Sequence, residues 1–373
     1  MHFITIAAQN LHRRPLRSSL TALGVAMAVG CVLAMTGISR SLDHGWVNTF
    51  MARGTHLLAV RKDSAEMFTG AIREDVGDQL AAVEGVRSVS GELMELESMA
   101  DDTTMLAGGW KTGGRLWTSL QLNEGRIPAE GERGVALVGE AAVDSLKTGL
   151  GRTVKIQDKP FAVIGIFKQS GSMGNSMLLL PLADLQDVMG MQGRVAIFNL
   201  QVDNPGDSAR VADIRARLKT RFPELAFWET KDISEKSEVL RLLRAISWGV
   251  STMAAIIGCL VLLNTLLMSV AERTREIGVL SALGWSPRRI LGLIVLEGFL
   301  LSAAGGLLGI ALGFAGLRGM SFNPNLVGFL DTSIPLPVML QTLGLALGLG
   351  ALASLYPAWR ALRLNVVEAL RYE

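Results

Sequence analysis

Several motifs on which enzymes depend are missing from this 373-residue chain. It has no GxxxxGK[ST] phosphate loop, no HExxH pair, no paired CxxC and no GxSxG turn. These absences exclude nucleotide binding by a P-loop, the common zinc sites and the serine nucleophile of the α/β-hydrolases. We therefore expect the chain to have no catalytic residue, no cofactor and no metal site.

Charged residues are also scarce. They make up 19% of the chain, against 49% hydrophobic residues, which is too apolar for a soluble enzyme of this length. The formal net charge of +2 lacks the basic excess of a nucleic-acid-binding protein, so we expect no nucleic-acid partner. There are only two cysteines, Cys31 and Cys259, and both fall in apolar runs, where small buried hydrophobes are expected rather than a disulfide.

What the chain does have is four long apolar runs, at 18–39, 247–271, 290–317 and 335–356. A helix needs roughly 20 residues to cross the apolar core of a membrane, so each run predicts a transmembrane span. The first run is longer than the apolar part of a signal peptide and no clear cleavage site follows it, so we interpret it as an uncleaved anchor.

The distribution of arginine predicts the orientation of the spans. Basic residues precede the first span, fill the segment between the second and third spans and follow the fourth, whereas 321–334 contains no Lys or Arg. The positive-inside rule then places both termini in the cytoplasm. The long segment between the first two spans lies outside the cytoplasm.

Two apolar stripes continue the spans towards this external segment. Spacing of three or four residues predicts two stalk helices, over 40–54 and 232–246, which pair and lift the external domain off the membrane. Alternatively they are ordinary juxtamembrane helices, since periodicity alone does not distinguish the two. The stripes are Ile38, Leu42, Trp46 and Phe50, and Val239, Leu242, Leu243 and Ile246.

The external domain, 55–231, has the pattern of an α+β fold. Extended, helical and extended patterns follow each other at 56–60, 75–83 and 86–89, and recur at 195–202, 208–221 and 226–228. We predict two β-α-β units that are split by a β-rich insertion over about 100–187. Strands are expected at 135–138, 153–156, 161–167 and 177–180, and the Ser/Gly/Met-rich segment 169–176 is expected to be a mobile loop.

The remaining segments are a cytoplasmic interfacial helix over 1–17, an external loop over 318–334 and a cytoplasmic tail over 357–373. Inside the spans, Asn264 and Glu297 are the polar residues expected to pair between helices. Glu297 marks a pairing or coupling site, or it reaches the interface or pairs with the Arg288–Arg289 end. GxxxG spacing predicts close helix packing at five glycines. These are Gly305, Gly309, Gly313, Gly344 and Gly348.

The segment 272–289 is the only sizeable loop that faces the cytoplasm. Its acidic start suits a helix N-terminus, and Gly284 suits the position after a helix end. Ile277, Leu280 and Gly284 fall on one face, and Ser286-Pro287 begins the next helix. The pattern predicts a short amphipathic helix, held between two spans, that docks into a partner's groove.

At these residues the chain resembles the MacB/FtsX family of ABC permeases, also called type VII. The family's coupling motif looks like E-R-x-x-E-I-G-x-x-x-A-L-G with a basic pair after it. Further matches are Asn264, Glu297 and Glu368-Ala369-Leu370-Arg371. The residues that match the coupling motif are Glu272, Arg273, Glu276, Ile277, Gly278, Ala282, Leu283, Gly284, Arg288 and Arg289.

The resemblance implies an α-helical membrane protein with four spans and an α+β extracytoplasmic domain, located in the inner membrane of a bacterial cell. It implies a dimer, with a second copy or a similar permease, that sits on separate ABC ATPase subunits. The coupling helix would contact the ATPase through Glu272, Arg273, Glu276, Ile277, Gly278, Leu280 and Gly284.

By mechanotransmission, ATP hydrolysis would move the external domains to export or extract an amphiphile, peptide or lipoprotein. The alternative is a signalling scaffold that activates an extracytoplasmic partner such as a cell-wall hydrolase. The sequence leaves open whether a periplasmic or outer-membrane adaptor is needed.

Overall fold

The structure is a computed structural model that describes residues 13–62, 70–99, 104–169, 171, 173–320, 323 and 334–363. Most of the expected interfacial helix, of the external loop and of the tail lies outside these residues. The described residues form two compact units. We call them the helical unit, which contains residues up to 38, 245–319 and from 332, and the sheet unit, which contains residues 39–244.

Ten helices are described, and four of them are long and apolar enough to cross a membrane. The four predicted spans fall on these four helices. In chain order the helices are α1 (Pro15–Ala52), α2 (Val76–Ala81), α3 (Arg115–Thr118), α4 (Leu182–Met189), α5 (Ser208–Arg221), α6 (Ile233–Lys236), α7 (Glu238–Glu272), α8 (Thr274–Ala282), α9 (Pro287–Met320) and α10 (Leu336–Leu362).

Helix packing in the helical unit depends on small residues. A Cβ atom at Gly309 of α9 would lie 2.7 Å from the carbonyl oxygen of Ala26 in α1, so only glycine permits this approach. Gly305 and Gly313 make similar contacts with α1, which confirms the predicted role of these three glycines. At Gly344 and Gly348 an added Cβ would meet no described atom within 4 Å, so the prediction is not met within this chain.

The sheet unit is built on a ten-stranded sheet. Its order is β12-β1-β11-β3-β4-β9-β6-β8-β5, with β7 beside β8, and β2 and β10 form a separate pair. In chain order the strands are β1 (Leu57–Arg61), β2 (Ile72–Arg73), β3 (Val86–Ser98), β4 (Thr104–Trp110), β5 (Gln121–Gly125), β6 (Val135–Gly139), β7 (Thr153–Ile156), β8 (Lys159–Lys168), β9 (Leu178–Pro181), β10 (Arg194–Val195), β11 (Ile197–Val202) and β12 (Leu225–Glu229).

The two predicted β-α-β units are confirmed. The first is β1, α2 and β3, the second is β11, α5 and β12, and β11 lies between β1 and β3 in the sheet. Helix α5 begins where predicted because the Asp207 side chain accepts hydrogen bonds from the N–H groups of Ala209 and Arg210, at 3.0 and 3.2 Å. The split arrangement therefore follows from the two patterns in the sequence.

The insertion extends the same sheet instead of forming a separate one. Strand β3 continues to Ser98 and pairs with β4 over its second half, and β4 carries the sheet onward through a parallel pairing with β9. The sequence patterns did not predict β4 or β5. β4 has the sequence TMLAGGW, in which two glycines weaken the strand signal, and six of its seven residues are buried.

The two apolar stripes behave differently. Trp46 and Phe50 of α1 are buried in the core of the sheet unit. All four residues of the second stripe are exposed, and Leu240 is the buried residue of that segment. The predicted apolar pairing of the two stripes is therefore wrong, and α1 and α7 are joined there by an ion pair of Arg244 with Asp43 at 3.0 Å.

The segment 169–176 is packed where it is described. Gln169, Met173 and Ser176 are buried, and the backbone at Gly171 approaches the Cβ of Asn48 in α1. These buried residues do not fit the mobile loop that the sequence predicted.

Candidate coupling site between the second and third spans

The short helix α8 is separated from α7 by Arg273, whose φ of −108° and ψ of 16° leave the helical region. At its other end Gly284 adopts a φ of +85°, a left-handed conformation that glycine favours, and its N–H donates to the Ser281 carbonyl at 3.1 Å. Pro287 then begins α9, as the sequence indicated. The predicted helix is therefore present, bounded by a kink and a glycine.

Glu272, the last residue of α7, is held by the first helix. Its two carboxylate oxygens accept from Nη1 and Nη2 of Arg17, each at 2.6 Å, and Arg14 also pairs with this carboxylate. A two-point contact between guanidinium and carboxylate fixes direction as well as distance. The pair is about one quarter exposed, so its role is positional and its contribution to stability is modest.

Arg273, the next residue, reaches in a different direction. Its Nη1 donates to Oε1 of Glu297 in α9 at 2.8 Å, and the side chains are only 16% and 6% exposed. The prediction that Glu297 pairs with the Arg288–Arg289 end or with the interface is wrong. The bend at Arg273 explains the difference, since it turns this side chain away from the solvent-facing side of α8.

Two consecutive residues of opposite charge thus fix the start of α8 to two different helices. We call this arrangement the junction, meaning Glu272 with Arg14 and Arg17, and Arg273 with Glu297. A movement of α1 or α9 would act directly on α8 through these contacts.

The candidate residues of α8 divide between an inner and an outer side. Ile277 and Gly278 are buried, and Ile277 packs with Ile290, Ala358 and Ala361. Leu280 is half-buried, whereas Glu276 and Gly284 are exposed. Ile277 and Gly278 therefore support α8 from within the chain, which corrects the expectation that they face a partner.

The outer side of α8 also contains residues that sequence reasoning did not select as contacts. Leu283 is 74% exposed and Val279 is 42% exposed, beside the exposed Glu276 and Arg275. Residues 276, 279 and 283 follow the i, i+3, i+7 spacing of one helix face, a signal that was available in the sequence. An exposed apolar pair on a short helix is the type of surface that a partner covers.

Asn264 lies outside the junction, exposed on α7. Within the described ranges its side chain makes no hydrogen bond, and the interhelical bond at this level joins the hydroxyls of Thr21 and Thr265 at 2.8 Å. The prediction of an interhelical bond from Asn264 is wrong within this chain. No group of three or more His, Cys, Asp or Glu side chains in the described residues has the geometry of a metal site.

Two family models cover most of the chain. The MacB-like periplasmic core domain matches residues 18–220, and the FtsX-like permease C-terminal domain matches residues 248–366. The chain belongs to the MacB/FtsX family of ABC transporter permeases. As in that family, four membrane-spanning helices are combined with an α+β domain outside the membrane, so this permease is a multi-pass membrane protein.

Curated relatives of this permease are of two lengths. It is 24% identical to the macrolide export ATP-binding/permease protein MacB of Bdellovibrio bacteriovorus, covering 98% of this chain and 61% of that relative. It is 24% identical to the uncharacterized ABC transporter permease YknZ of Bacillus subtilis, covering 99% of this chain and 98% of that relative. The permease thus spans about three fifths of the first relative and nearly all of the second.

Two solved structures are similar to part of this permease. The extracellular domain of YknZ from Gram-positive bacteria covers 47% of this chain, with 18% identity and a TM-score of 0.36. The periplasmic region of MacB from Actinobacillus actinomycetemcomitans covers 50% of this chain, with 15% identity and a TM-score of 0.38.

Proposed function

We propose that this permease couples ATP hydrolysis by a separate ABC ATPase to movements of its extracytoplasmic domain that export or extract an amphiphile, peptide or lipoprotein. The permease itself has no ATPase activity in this proposal. It works as a dimer, with a second copy or a similar permease, in the inner membrane with both termini in the cytoplasm. Whether an adaptor outside the membrane takes part is left to experiment.

The assignment of ATP hydrolysis to a partner is supported by sequence coverage. The chain has no GxxxxGK[ST] motif. The relative whose name includes ATP binding has about two fifths of its length beyond the matched region, whereas the relative named only as a permease is matched over 98% of its length.

The observation that carries the proposal is the junction at the start of α8. Its ion pairs with Arg17 and Glu297 join residues next to α8 to membrane helices, while α8 leaves Val279 and Leu283 exposed. A partner bound to these two exposed residues would transmit force through two fixed points to α1 and α9. Without these two contacts, α8 would rotate about the residues that connect it to α7 and α9, and the force would not reach α1 and α9.

A matched pair of substitutions tests the contact. Leu283→Asp places a charge on the outer side of α8, and Leu150→Asp places the same charge on another exposed leucine, in the sheet unit. Each variant and the wild-type protein are purified gently from the native membrane, and the co-purifying ABC ATPase is quantified by mass spectrometry. We expect Leu283→Asp to reduce recovery of the ATPase at least about tenfold and Leu150→Asp to leave it unchanged.

Two results would contradict the proposal. One is that an intact permease is purified without any ABC ATPase, because the proposed coupling then has no source of energy. The other is equal recovery from the two variants, which places the contact away from the outer side of α8. Once the ATPase is recovered, its stimulation by an amphiphile or lipoprotein supports export, whereas stimulation only by a cell-wall hydrolase supports the signalling alternative.

A further inference from the structure

The sheet unit has an open sheet edge that the proposed coupling does not use. Strand β3 pairs with β11 over residues 86–92 but with β4 only over residues 92–98. In the part of the chain that the structure describes, residues 86–91 therefore have a neighbouring strand on one side only. These six residues are half-buried or exposed, whereas the adjoining Leu93 and Met94 are fully buried.

The backbone of Val89 faces the open side of β3. Leu200 lies opposite Val89 in the ladder, and the Leu200 carbonyl accepts from the His56 N–H at 2.9 Å, on the β1 side of β11. In an antiparallel ladder the N–H and C=O groups of one residue point to the same side of the strand. Those of Leu200 point towards β1, so Leu200 and Val89 form a pair without mutual hydrogen bonds. The N–H and C=O of Val89 thus point towards the position of a further strand.

A cleft of about 200 Å³ runs along this edge. The residues that line it include the nearly fully buried Trp110 and Phe198, the cations Lys111 and Arg115, which follow β4, and Glu74 and Asp78 of helix α2 and the turn before it. The cleft therefore offers main-chain groups and charge to a ligand.

Arg115 has donor groups that the described residues do not satisfy. Its Nη1 donates to the Arg53 carbonyl oxygen at 2.5 Å, while its Nε and Nη2 are buried without a hydrogen-bond partner. Nε and Nη2 form one edge of the guanidinium group, which binds a carboxylate through two parallel hydrogen bonds. Because unpaired buried donors are costly, a carboxylate in the cleft that drew this edge of Arg115 outward would relieve a penalty that the free domain carries.

We propose that this cleft binds an extended peptide, which adds as a strand beside residues 86–91 and places a carboxylate on Arg115. Main-chain pairing at an open edge supplies affinity with little dependence on sequence, and the carboxylate supplies selectivity. Six residues of strand span about 20 Å, which sets the length of peptide that the edge accepts. This binding belongs to the sheet unit and does not depend on the proposed coupling to an ATPase.

The probe for the test is a library of hexapeptides with β-branched residues at alternate positions, labelled with a BODIPY dye that has no carboxyl group. A matched library has every carboxyl group replaced by a carboxamide. Binding to the full chain in lipid nanodiscs is measured by fluorescence anisotropy. We expect the best carboxylate peptide to bind at least about tenfold more tightly than its carboxamide counterpart.

Two substitutions at position 89 separate the sheet edge from the rest of the surface. Val89→Pro removes the outward N–H while leaving the pairing with β11, and Val89→Thr keeps the N–H in a similar side chain. We expect Val89→Pro to weaken binding at least about tenfold and Val89→Thr to change it less than about twofold. Arg115→Lys keeps the positive charge but not the paired donors. The ratio of the carboxylate peptide's affinity to the carboxamide peptide's affinity should therefore fall towards one.

The proposal is overturned if no peptide binds, if carboxylate and carboxamide bind equally, or if Val89→Pro binds peptide like the wild-type protein. Hydrogen exchange provides a readout that does not require the variants to fold, since peptide should slow exchange at Val89. If that amide is protected before peptide is added and Val89→Pro changes the oligomeric mass, a second copy of the chain fills the edge and the peptide proposal fails.

Discussion

Arg53 and Glu92 form a buried ion pair, with Nη1 of Arg53 2.7 Å from Oε1 of Glu92 and both side chains fully enclosed. Arg53 directly follows α1, and Glu92 lies in the middle of β3. The carboxylate also accepts from Nε1 of Trp110 at 2.6 Å and from Nδ2 of Asn199 at 2.8 Å. The Glu92 carboxylate therefore accepts hydrogen bonds from three donors. One of them, Arg53, connects the end of the first long helix to the centre of the sheet.

Removing the charge of Glu92 should destabilise the sheet unit strongly. Glu92→Gln leaves the Arg53 guanidinium buried without a counter-charge, for which we expect a loss of about 3–5 kcal/mol in the free energy of unfolding. Burial lowers the pKa of Arg53, whereas the charge of Glu92 and its hydrogen bond raise it. The exposed Glu124 provides the control, and Glu124→Gln should change stability by less than about 0.5 kcal/mol. Chemical denaturation followed by tryptophan fluorescence measures both, and similar losses would contradict the prediction.

The Arg273–Glu297 pair should behave as a unit in the helical unit of the permease. Arg273→Met or Glu297→Leu alone leaves one charge nearly buried, and each should lower stability by about 3–5 kcal/mol, whereas the double variant should recover most of the loss. Thermal unfolding in detergent, read by size-exclusion chromatography, measures stability. Substrate-stimulated ATPase activity of the assembled transporter measures coupling, and we expect the double variant not to recover it. Losses that simply add in the double variant would show that the two residues act separately.

Glycine-to-alanine substitutions should have opposite effects at two helix positions. At Gly309 the new Cβ would lie 2.7 Å from the Ala26 carbonyl oxygen, so we expect a destabilisation of about 1–3 kcal/mol. At Gly344 the same Cβ would meet no described atom, so the higher helix propensity of alanine should leave stability unchanged or raise it by up to about 1 kcal/mol. Melting temperatures of the two variants in the same detergent compare them directly. A larger loss at Gly344 would show that this glycine face is covered in the assembled protein.

Protonation of His56 should weaken the sheet unit in mild acid. Burial lowers the pKa of His56, as does the positive charge of Arg115, and its Nδ1 accepts a hydrogen bond from the Val202 N–H that requires a neutral ring. The contribution to stability is complete above the ordinary histidine pKa of about 6.5 and is lost as the pH falls through the lower pKa of the folded state.

Melting temperatures between about pH 5 and pH 8 test this contribution. Asn in place of His56 keeps an acceptor for Val202 without titrating, so His56→Asn should flatten the pH dependence in this range. His44→Asn is the control because His44 is exposed, and it should preserve the slope of the wild-type protein. An unchanged slope in His56→Asn would assign the pH dependence to another group.

Local patterns were sufficient to predict much of this fold. The four spans, the two β-α-β units and the helix before Gly284 all depend on runs, periodicities and end residues that lie close together in the sequence. Strand β4 was missed because its two glycines give little strand preference, and it is held in place between β3, just before it in the chain, and β9, which is distant in sequence.

The sequence by itself determined the membrane topology class and the position of the short helix α8, because length, hydropathy and capping are local properties. Only the tertiary structure decided the partners of the charged residues. Arg273 and Glu297 are 24 residues apart, and Arg17 and Glu272 are 255 apart. Which side of α8 faces outward, and which edge of β3 stays open, likewise depend on helices and strands that fold against them from distant parts of the chain.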